Sequence, residues 1–434
     1  MIIGAGISGL EAGRLLGEQG VKTLILEGRN RTGGRIHSIR SEQGHVVDLG
    51  ATWIHGIHGS IPTGIYSNPL WDLTQEANLP TRGTEALDFQ IFSNDNNLAE
   101  DVVDWLDEFM RFVREETRLA SADISFGHYA TLFVKEKQFD SKQEEIFYSS
   151  LHYLIENTEG AQLNEISAKG VLDLTTVFYG EEHMFHQDGF MALTDYIAKS
   201  AGEIQLNKIV KQVNVKDTSV EVLTQDGRTY RSRYVLMTVP LGVLKSRQIT
   251  FEPALPRWKL NAIDRLGYGH LEKAILVWDK AWWNSTHLYF LRVSPKITHF
   301  GYWVNLNKWN DKPALISFFP GNSEYRQQFI NDKQKMISDI HLTLQEMFPN
   351  TDIPMPSESY LTTWREDPFS LGSYSYISVN QKYEDPSYLG EPIGDRLLFA
   401  GEATSQDSYG FAHGALLSAR REVTRLLYAY DPSY

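Results

Sequence analysis

The sequence contains no cysteine in 434 residues, and that absence removes a block of chemistry. Disulfides, thiolate nucleophiles, cysteine-based metal sites and a cysteinyl-linked cofactor are all excluded. The absence says little about compartment, because a secreted protein need not carry disulfides. No apolar run approaches the ~18 residues of a membrane-spanning helix, and no signal peptide is visible. Positive charge is in deficit: 41 Lys and Arg against 55 Asp and Glu leave a formal net charge of −14. Such a chain lacks the basic face that nucleic acid binding requires. An acidic surface does concentrate small cations, although solubility is the simpler consequence. No His or acid spacing matches a metal-ligand set, and there are no repeats or charge blocks.

Ordinary globular composition remains, 42% hydrophobic and 22% charged. The length calls for more than one core, arranged here as two interleaved domains. Only Met1-Ile2-Ile3 precede the first glycine motif, fewer than the usual five or six residues of a strand. A native N-terminal stretch is therefore expected to be missing. One acceptor triplet, Asn284-Ser285-Thr286, leans weakly toward secretion; cytoplasmic, peroxisomal and secreted placements all stay open, as does the oligomeric state.

The first ~60 residues read as strand, glycine turn, helix and strand, with a helix over Leu10–Gln19 and a buried strand over Val21–Glu27. Apolar residues at three- and four-residue spacing predict helix from Leu98 to Lys137 and again from Lys142 to Glu156. From Ile204 the pattern turns to β, with strands over 209–215 and 220–223, a hairpin signal at Gln225-Asp226-Gly227, and an apolar strand over 234–240. Strands over 274–278, 288–293, 299–304 and 314–319 predict a second sheet. Helices are expected over Lys333–Met347 and His413–Tyr428, the latter following a strand at 396–400.

The turn Gly4-Ala5-Gly6-Ile7-Ser8-Gly9 carries the chemistry. Gly4 serves a tight turn, Gly6 a close backbone approach to a pyrophosphate, and Gly9 the packing of helix on strand. The helix N-terminus that follows offers free N–H groups to phosphate. Glu27, at the end of the second strand, is placed to accept a bond from an adenosine ribose hydroxyl. A structural turn with a surface glutamate is the bland alternative, and the full context outweighs it. Arg31-Thr32-Gly33-Gly34-Arg35 follows, in which two glycines let backbone and guanidinium groups crowd a diphosphate. That extension is typical of chains that bind FAD rather than NAD.

With Asp48–Gly56, Thr238–Lys245, Gly372–Tyr376, and Gly401–Thr404 continuing through Gly410–Ala415, the whole chain resembles the flavin amine oxidase family, in its polyamine oxidase and histone demethylase branch. The resemblance implies an α/β fold: a Rossmann-type FAD-binding domain from 1–70, 200–265 and 390–434. This is interleaved with an α+β substrate-binding domain on a mixed sheet, from 71–199 and 266–389. It implies non-covalent FAD, because the monoamine oxidase branch carries its flavin-linking cysteine where Ser373 stands. Cofactor contacts are implied for Gly4, Gly6, Gly9, Glu27, Arg29, Gly34, Arg35, Thr52, Trp53 and Gly401. In the same way Glu402 would hold the ribityl chain or phosphate edge, Trp364 would pack on the isoalloxazine, and the Val210 backbone would meet the adenine. Lys273 matches the lysine that holds a water against flavin N5, Tyr374 and Phe411 match the two rings that form the amine slot, and His55 would bond the substrate amine.

The implied reaction is hydride transfer from the carbon next to a neutral amine to flavin N5. Imine hydrolysis to aldehyde and amine follows, and O2 is reduced to H2O2. Polyamines are the expected substrates, their distal ammonium groups held by acids among Glu156, Glu159, Glu181 and Glu182. A chromatin demethylase is a poorer fit, because that branch adds an N-terminal module and a helical insertion for which this length leaves no room. An L-amino-acid oxidase, with Arg365 or another arginine on the substrate carboxylate, and a non-catalytic flavin-binding protein are the rivals.

Overall fold

A computed structural model describes residues 1–59, 64–84, 88–93, 96–120, 122–172, 177–294, 300–320 and 332–430. A buried five-stranded parallel sheet is assembled from distant parts of the chain, in the order 203–205, 24–26, 2–3, 235–237, 397–399. Ile2-Ile3, short as it is, sits at the centre with a partner on each side, which is why it has no polar alternation. Because the strands are parallel, their carboxyl ends share one edge. Gly4, Glu27, Thr238 and Gly401-Glu402 all lie just beyond those ends, the position where open α/β sheets bind ligands.

Helix Ile7–Glu18 packs against the closing helix Ala412–Tyr430. The fully buried Glu11 joins them, held by Arg14 at 2.8 Å and Arg420 at 2.9 Å. A four-stranded sheet extends from this unit, with the 210–215, 220–224 and 229–232 strands antiparallel and 250–252 parallel to the first.

The second large sheet is mixed. Its order is 358–361, 271–277, 314–320, 302–305, 289–292, 89–92, antiparallel throughout except for the last pair. Period-two alternation along 271–277 divides it. Ala274 and Leu276 pack under helix Lys333–Met347, whereas Ile275 and Val277 join Tyr289, Val304 and Phe318 on the other face. Lys273 shares the parity of the second set, which turns it away from that helix.

The sequence reading differs from the fold in a few places. The helical run 98–137 is broken into Asn96–Leu119 and Phe126–Lys137, because Ser125 caps the second helix by accepting from the His128 N–H. Helix Ser141–Leu151 ends in a π turn, His152–Glu156, where a continuous α-helix was expected. The strand expected over 299–304 starts at Tyr302, and His299 falls outside the described residues. Helix Lys333–Met347 has the expected bounds.

Candidate active site

The glycine turn behaves as three separate devices. Gly4 adopts φ +106°, and a Cβ there would stand 2.7 Å from Thr238 Oγ1. A Cβ on Gly9 would stand 2.0 Å from the Gly4 carbonyl oxygen, so helix and strand touch through backbone alone. A Cβ on Gly6 would meet no protein atom within 4 Å, because it points into open space. Gly6 is the N-cap of helix Ile7–Glu18 and no side chain caps it, which leaves its first N–H groups for a ligand. The Ser8 hydroxyl, buried beside them, has no hydrogen-bond partner among the described residues. Room at Gly6 beside an orphaned buried hydroxyl fits a phosphate group.

Glu27 locks this cradle to the second strand. One carboxylate oxygen accepts the Ala5 N–H at 2.7 Å and the other the Arg29 N–H at 2.8 Å. Arg29 pairs with Asp367 at 2.5 Å and donates to Ser370 Oγ at 2.8 Å. Gly34, at φ +61°, lies against Gly6, since a Cβ on it would come 3.3 Å from the Gly6 Cα. The two arginines of the expected diphosphate clamp divide their roles. Arg35 reaches the cavity and binds Glu402 Oε1 at 2.8 Å and the Ser373 carbonyl at 2.8 Å. Arg31 instead donates to the Thr32 and Gly34 carbonyls of its own loop, at 2.9 and 2.8 Å, and does not line the cavity.

One cavity of about 640 Å³ runs from this cradle to the mixed sheet. Apart from Arg31, it is lined by every residue expected to hold cofactor or do chemistry except Gly9, whose place is in the helix packing. Gly4, Gly6, Glu27, Arg29, Gly34, Arg35 and Val210 bound one part, Gly401 and Glu402 the adjoining wall. Glu402 is buried; its second oxygen takes the Gly410 N–H at 2.8 Å and the Ser375 hydroxyl. Trp364 is buried and donates its indole N–H to the Leu49 carbonyl at 3.2 Å, while Glu272 accepts its backbone N–H at 2.9 Å.

Farther along, Lys273 projects from strand 271–277 with its ammonium on the Asp48 carbonyl at 3.1 Å, the Gly50 carbonyl at 2.5 Å and Thr52 Oγ1 at 2.7 Å. Phe318, its cross-strand neighbour, lies beneath it at 5.6 Å. Burial disfavours the charged form and brings its pKa down to about 8, against a smaller pull from Asp48. Thr52 and Trp53 line the wall beside it. His55 Nδ1 lies 2.7 Å from Glu182 Oε1, and its ring meets the Phe411 edge at 5.0 Å. Phe411 in turn stacks on His413, ring centres 4.9 Å apart and 12° from parallel. Burial drives the His413 pKa down to about 3, so that imidazole is neutral. Tyr374 and Phe411 line the same cavity, and Tyr374 donates its hydroxyl to the Thr158 carbonyl at 2.5 Å.

Several cavity residues escaped the sequence reading. Phe89, Tyr289 and Tyr302 form a stacked wall, with centres 5.0 Å apart for the first pair and 6.0 Å for the second. Each is an aromatic in a strand, indistinguishable in sequence from a core residue. Tyr409 and Ser8 are likewise named only by position in the fold. Of the four glutamates considered for distal ammonium groups, Glu159 and Glu182 line the cavity; Glu156 and Glu181 do not.

A dinucleotide cradle continuous with a ring-walled chamber that holds a desolvated lysine is the arrangement of a flavin-dependent oxidoreductase. The chain belongs to the family of flavin containing amine oxidoreductases, whose model matches residues 7–427. It is 32% identical to probable polyamine oxidase 4 of Arabidopsis thaliana, over 96% of this chain and 84% of that protein. Polyamine oxidase 2 of the same plant is 31% identical, over 96% of this chain and 85% of its own length. Lysine-specific histone demethylase 1 homolog 3, also from Arabidopsis, is 28% identical over 98% of this chain, which spans 30% of that protein.

Proposed function

We propose that this protein is an FAD-dependent polyamine oxidase with non-covalently held cofactor. In this reading the parallel sheet and its helices are a Rossmann-type dinucleotide-binding domain drawn from 1–70, 200–265 and 390–434. The mixed sheet and the helical block belong to a substrate-binding domain from 71–199 and 266–389. The single observation that carries the proposal is the shared cavity, which joins the glycine cradle, Glu402 and Trp364 to Lys273, Tyr374, Phe411 and His55.

The flavin supplies a hydride acceptor and passes its electrons to O2, yielding H2O2. Gly4, Gly6 and Gly34 bring backbone close to the diphosphate, the uncapped helix end donates to it, and Glu27 takes the ribose. Arg35 and Glu402, already paired, form a wall of fixed polarity beside the ribityl chain. Thr52, Trp53, Val210, Trp364 and Gly401 shape the remaining surface. The protein's part in the reaction is orientation and dryness. Tyr374 and Phe411 bound the slot that admits a neutral amine, and the His55–Glu182 pair accepts or bonds its proton. Lys273, held by two carbonyls and a hydroxyl, keeps a water beside the reacting atoms.

The amino-acid oxidase reading is disfavoured by charge. Among the described residues the arginines that line the cavity are Arg29 and Arg35, each paired with an acid, and Arg365 does not line it. Retention of Lys273 with both ring positions speaks against a non-catalytic flavin carrier. Purified protein should be yellow and should release peroxide with spermine or spermidine, and not with L-amino acids. Colourless protein that flavin cannot reconstitute overturns the proposal.

A further inference from the structure

Among the described residues four carboxylates line the cavity, and three of them have partners within the protein. Glu27 is held by backbone N–H groups, Glu182 by His55 and Glu402 by Arg35. The fourth, Glu159, receives no hydrogen bond and no ion pair from any described residue. A carboxylate taken out of water without a counterion is costly, and such groups are stable when a cation completes them. We propose that Glu159 anchors a second ammonium group of the substrate, remote from the amine being oxidised, so that the site selects di- and polyamines over monoamines. This rests on the amine oxidase reading and assigns the acid that sets its substrate class.

The backbone around Glu159 is built to hold it in place. The π turn His152–Glu156 leads into Asn157–Glu159, which is closed by Gly160 at φ +64°. A Cβ on Gly160 would come 3.0 Å from the His270 N–H nitrogen, and the Gly160 carbonyl accepts that N–H at 2.6 Å. The turn is therefore seated on the residues that open the Lys273 strand. Tyr374 fixes its other side through the bond to the Thr158 carbonyl. π turns of this kind are frequently found where a helix must present a functional group.

The chemistry around the carboxylate favours a cation. Burial holds its carboxyl up at about 7, and no positive charge among the described residues offsets that rise. The titratable groups facing it are the phenols of Tyr374, Tyr376 and Tyr409, whose ionisation it opposes and which stay neutral at physiological pH. One turn back, His152 Nδ1 pairs with Glu156 at 2.6 Å. Rings of this kind add cation–π attraction for an ammonium group. Glu182 opposes the ionisation of a different pair, Tyr289 and Tyr302. The two acids thus act on different tyrosines, as sites for separate ammonium groups of an extended polycation would.

Glu159→Gln preserves shape and removes charge. Steady-state peroxide release from the flavin-loaded enzyme, compared for spermidine and for an alkyl monoamine of similar length, should show the polyamine-over-monoamine ratio of kcat/KM falling about ten- to hundredfold. The loss should lie in KM for spermidine rather than in kcat, and Glu159→Asp should recover part of it. As pH rises through about 7 and Glu159 ionises, wild-type KM for spermidine should fall, and the variant should lose that component. An equal loss for both amines, or an unchanged ratio, overturns the assignment of Glu159 while leaving the oxidase reading intact. A flavin-loaded wild type that oxidises no amine overturns both.

Discussion

The Arg35 guanidinium holds the Glu402 carboxylate at 2.8 Å across 367 positions of sequence, tying the N-terminal cofactor loop to the C-terminal motif. Glu402 is buried and Arg35 mostly so. Removing one partner leaves the other charge uncompensated, which in buried pairs costs several kcal/mol. Arg35→Ala should lower stability by roughly 2–3 kcal/mol and reduce bound flavin severalfold. Absorbance ratios after gel filtration, with a melting curve of the same sample, measure both. An unchanged melting point with full flavin content would refute a role for the pair.

Gly6 and Gly9 should separate ligand space from packing. Gly6 has extended backbone and free room for a Cβ. Gly6→Ala should therefore keep the stability of the flavin-free protein within about 1 kcal/mol while abolishing flavin retention. Gly9→Ala must displace the Gly4 carbonyl and should cost about 1–3 kcal/mol as well as the flavin. Denaturant titration of flavin-free samples distinguishes the two. Equal stability losses would mean that Gly6 serves packing too.

Lys273→Met should keep its flavin and slow reduction by amine, reoxidation by O2, or both, by at least about tenfold, the low end for loss of a positioned polar group. Stopped-flow traces of the reoxidation step need no amine and isolate one effect. With a folded pKa near 8 against an ordinary 10.5, the native lysine releases its proton before the unfolded chain does. Stability contributed by this group therefore rises with pH from about 8 to 10.5, and the variant should lack that slope. Any reoxidation inflection near pH 8 should vanish with it. Identical half-reaction rates in the variant would exclude the lysine from the chemistry.

Lys259, fully buried, is the clearest case of a polar group with a structural task. Its ammonium donates to the carbonyls of Tyr388, Leu389 and Glu391 at 3.0, 2.7 and 2.6 Å, at the end of helix Asp385–Gly390. Lys259→Met strands three acceptors and should destabilise the protein by about 2 kcal/mol, since buried carbonyls left unpaired cost 1–3 kcal/mol. Chemical denaturation of the two proteins is the check, and equal midpoints would show that water replaces the lysine.

The parts of this protein legible from sequence are those whose cause is local. Glycines at Gly4, Gly6 and Gly9 have a turn, an approach and a packing contact all within six residues, and the strands on either side are short apolar runs. The π turn at His152–Glu156 was not legible, because helix widening is settled by contacts outside the window that sets periodicity; the break at Ser125 has a local cause, its cap on the His128 N–H, which apolar spacing alone does not register. Arg31 and Arg35 were indistinguishable in sequence. Only the loop's curvature turns one onto its own carbonyls and the other onto Glu402.

Taken by itself, the chain of amino acids carried the glycine turn and its strand–helix context, which follow from residue type and spacing; the lysine, the two rings and the histidine were picked out only by the resemblance to the amine oxidase family. Which carboxylates are already satisfied was decided by tertiary structure alone. Hydrogen bonds and ion pairs act over a few ångströms: Glu402 meets Arg35 from 367 positions away, while Glu159 meets no cation among the described residues. Which charge is left unpaired in a cavity is a property of the fold, and on the reading proposed for Glu159 substrate choice turns on it.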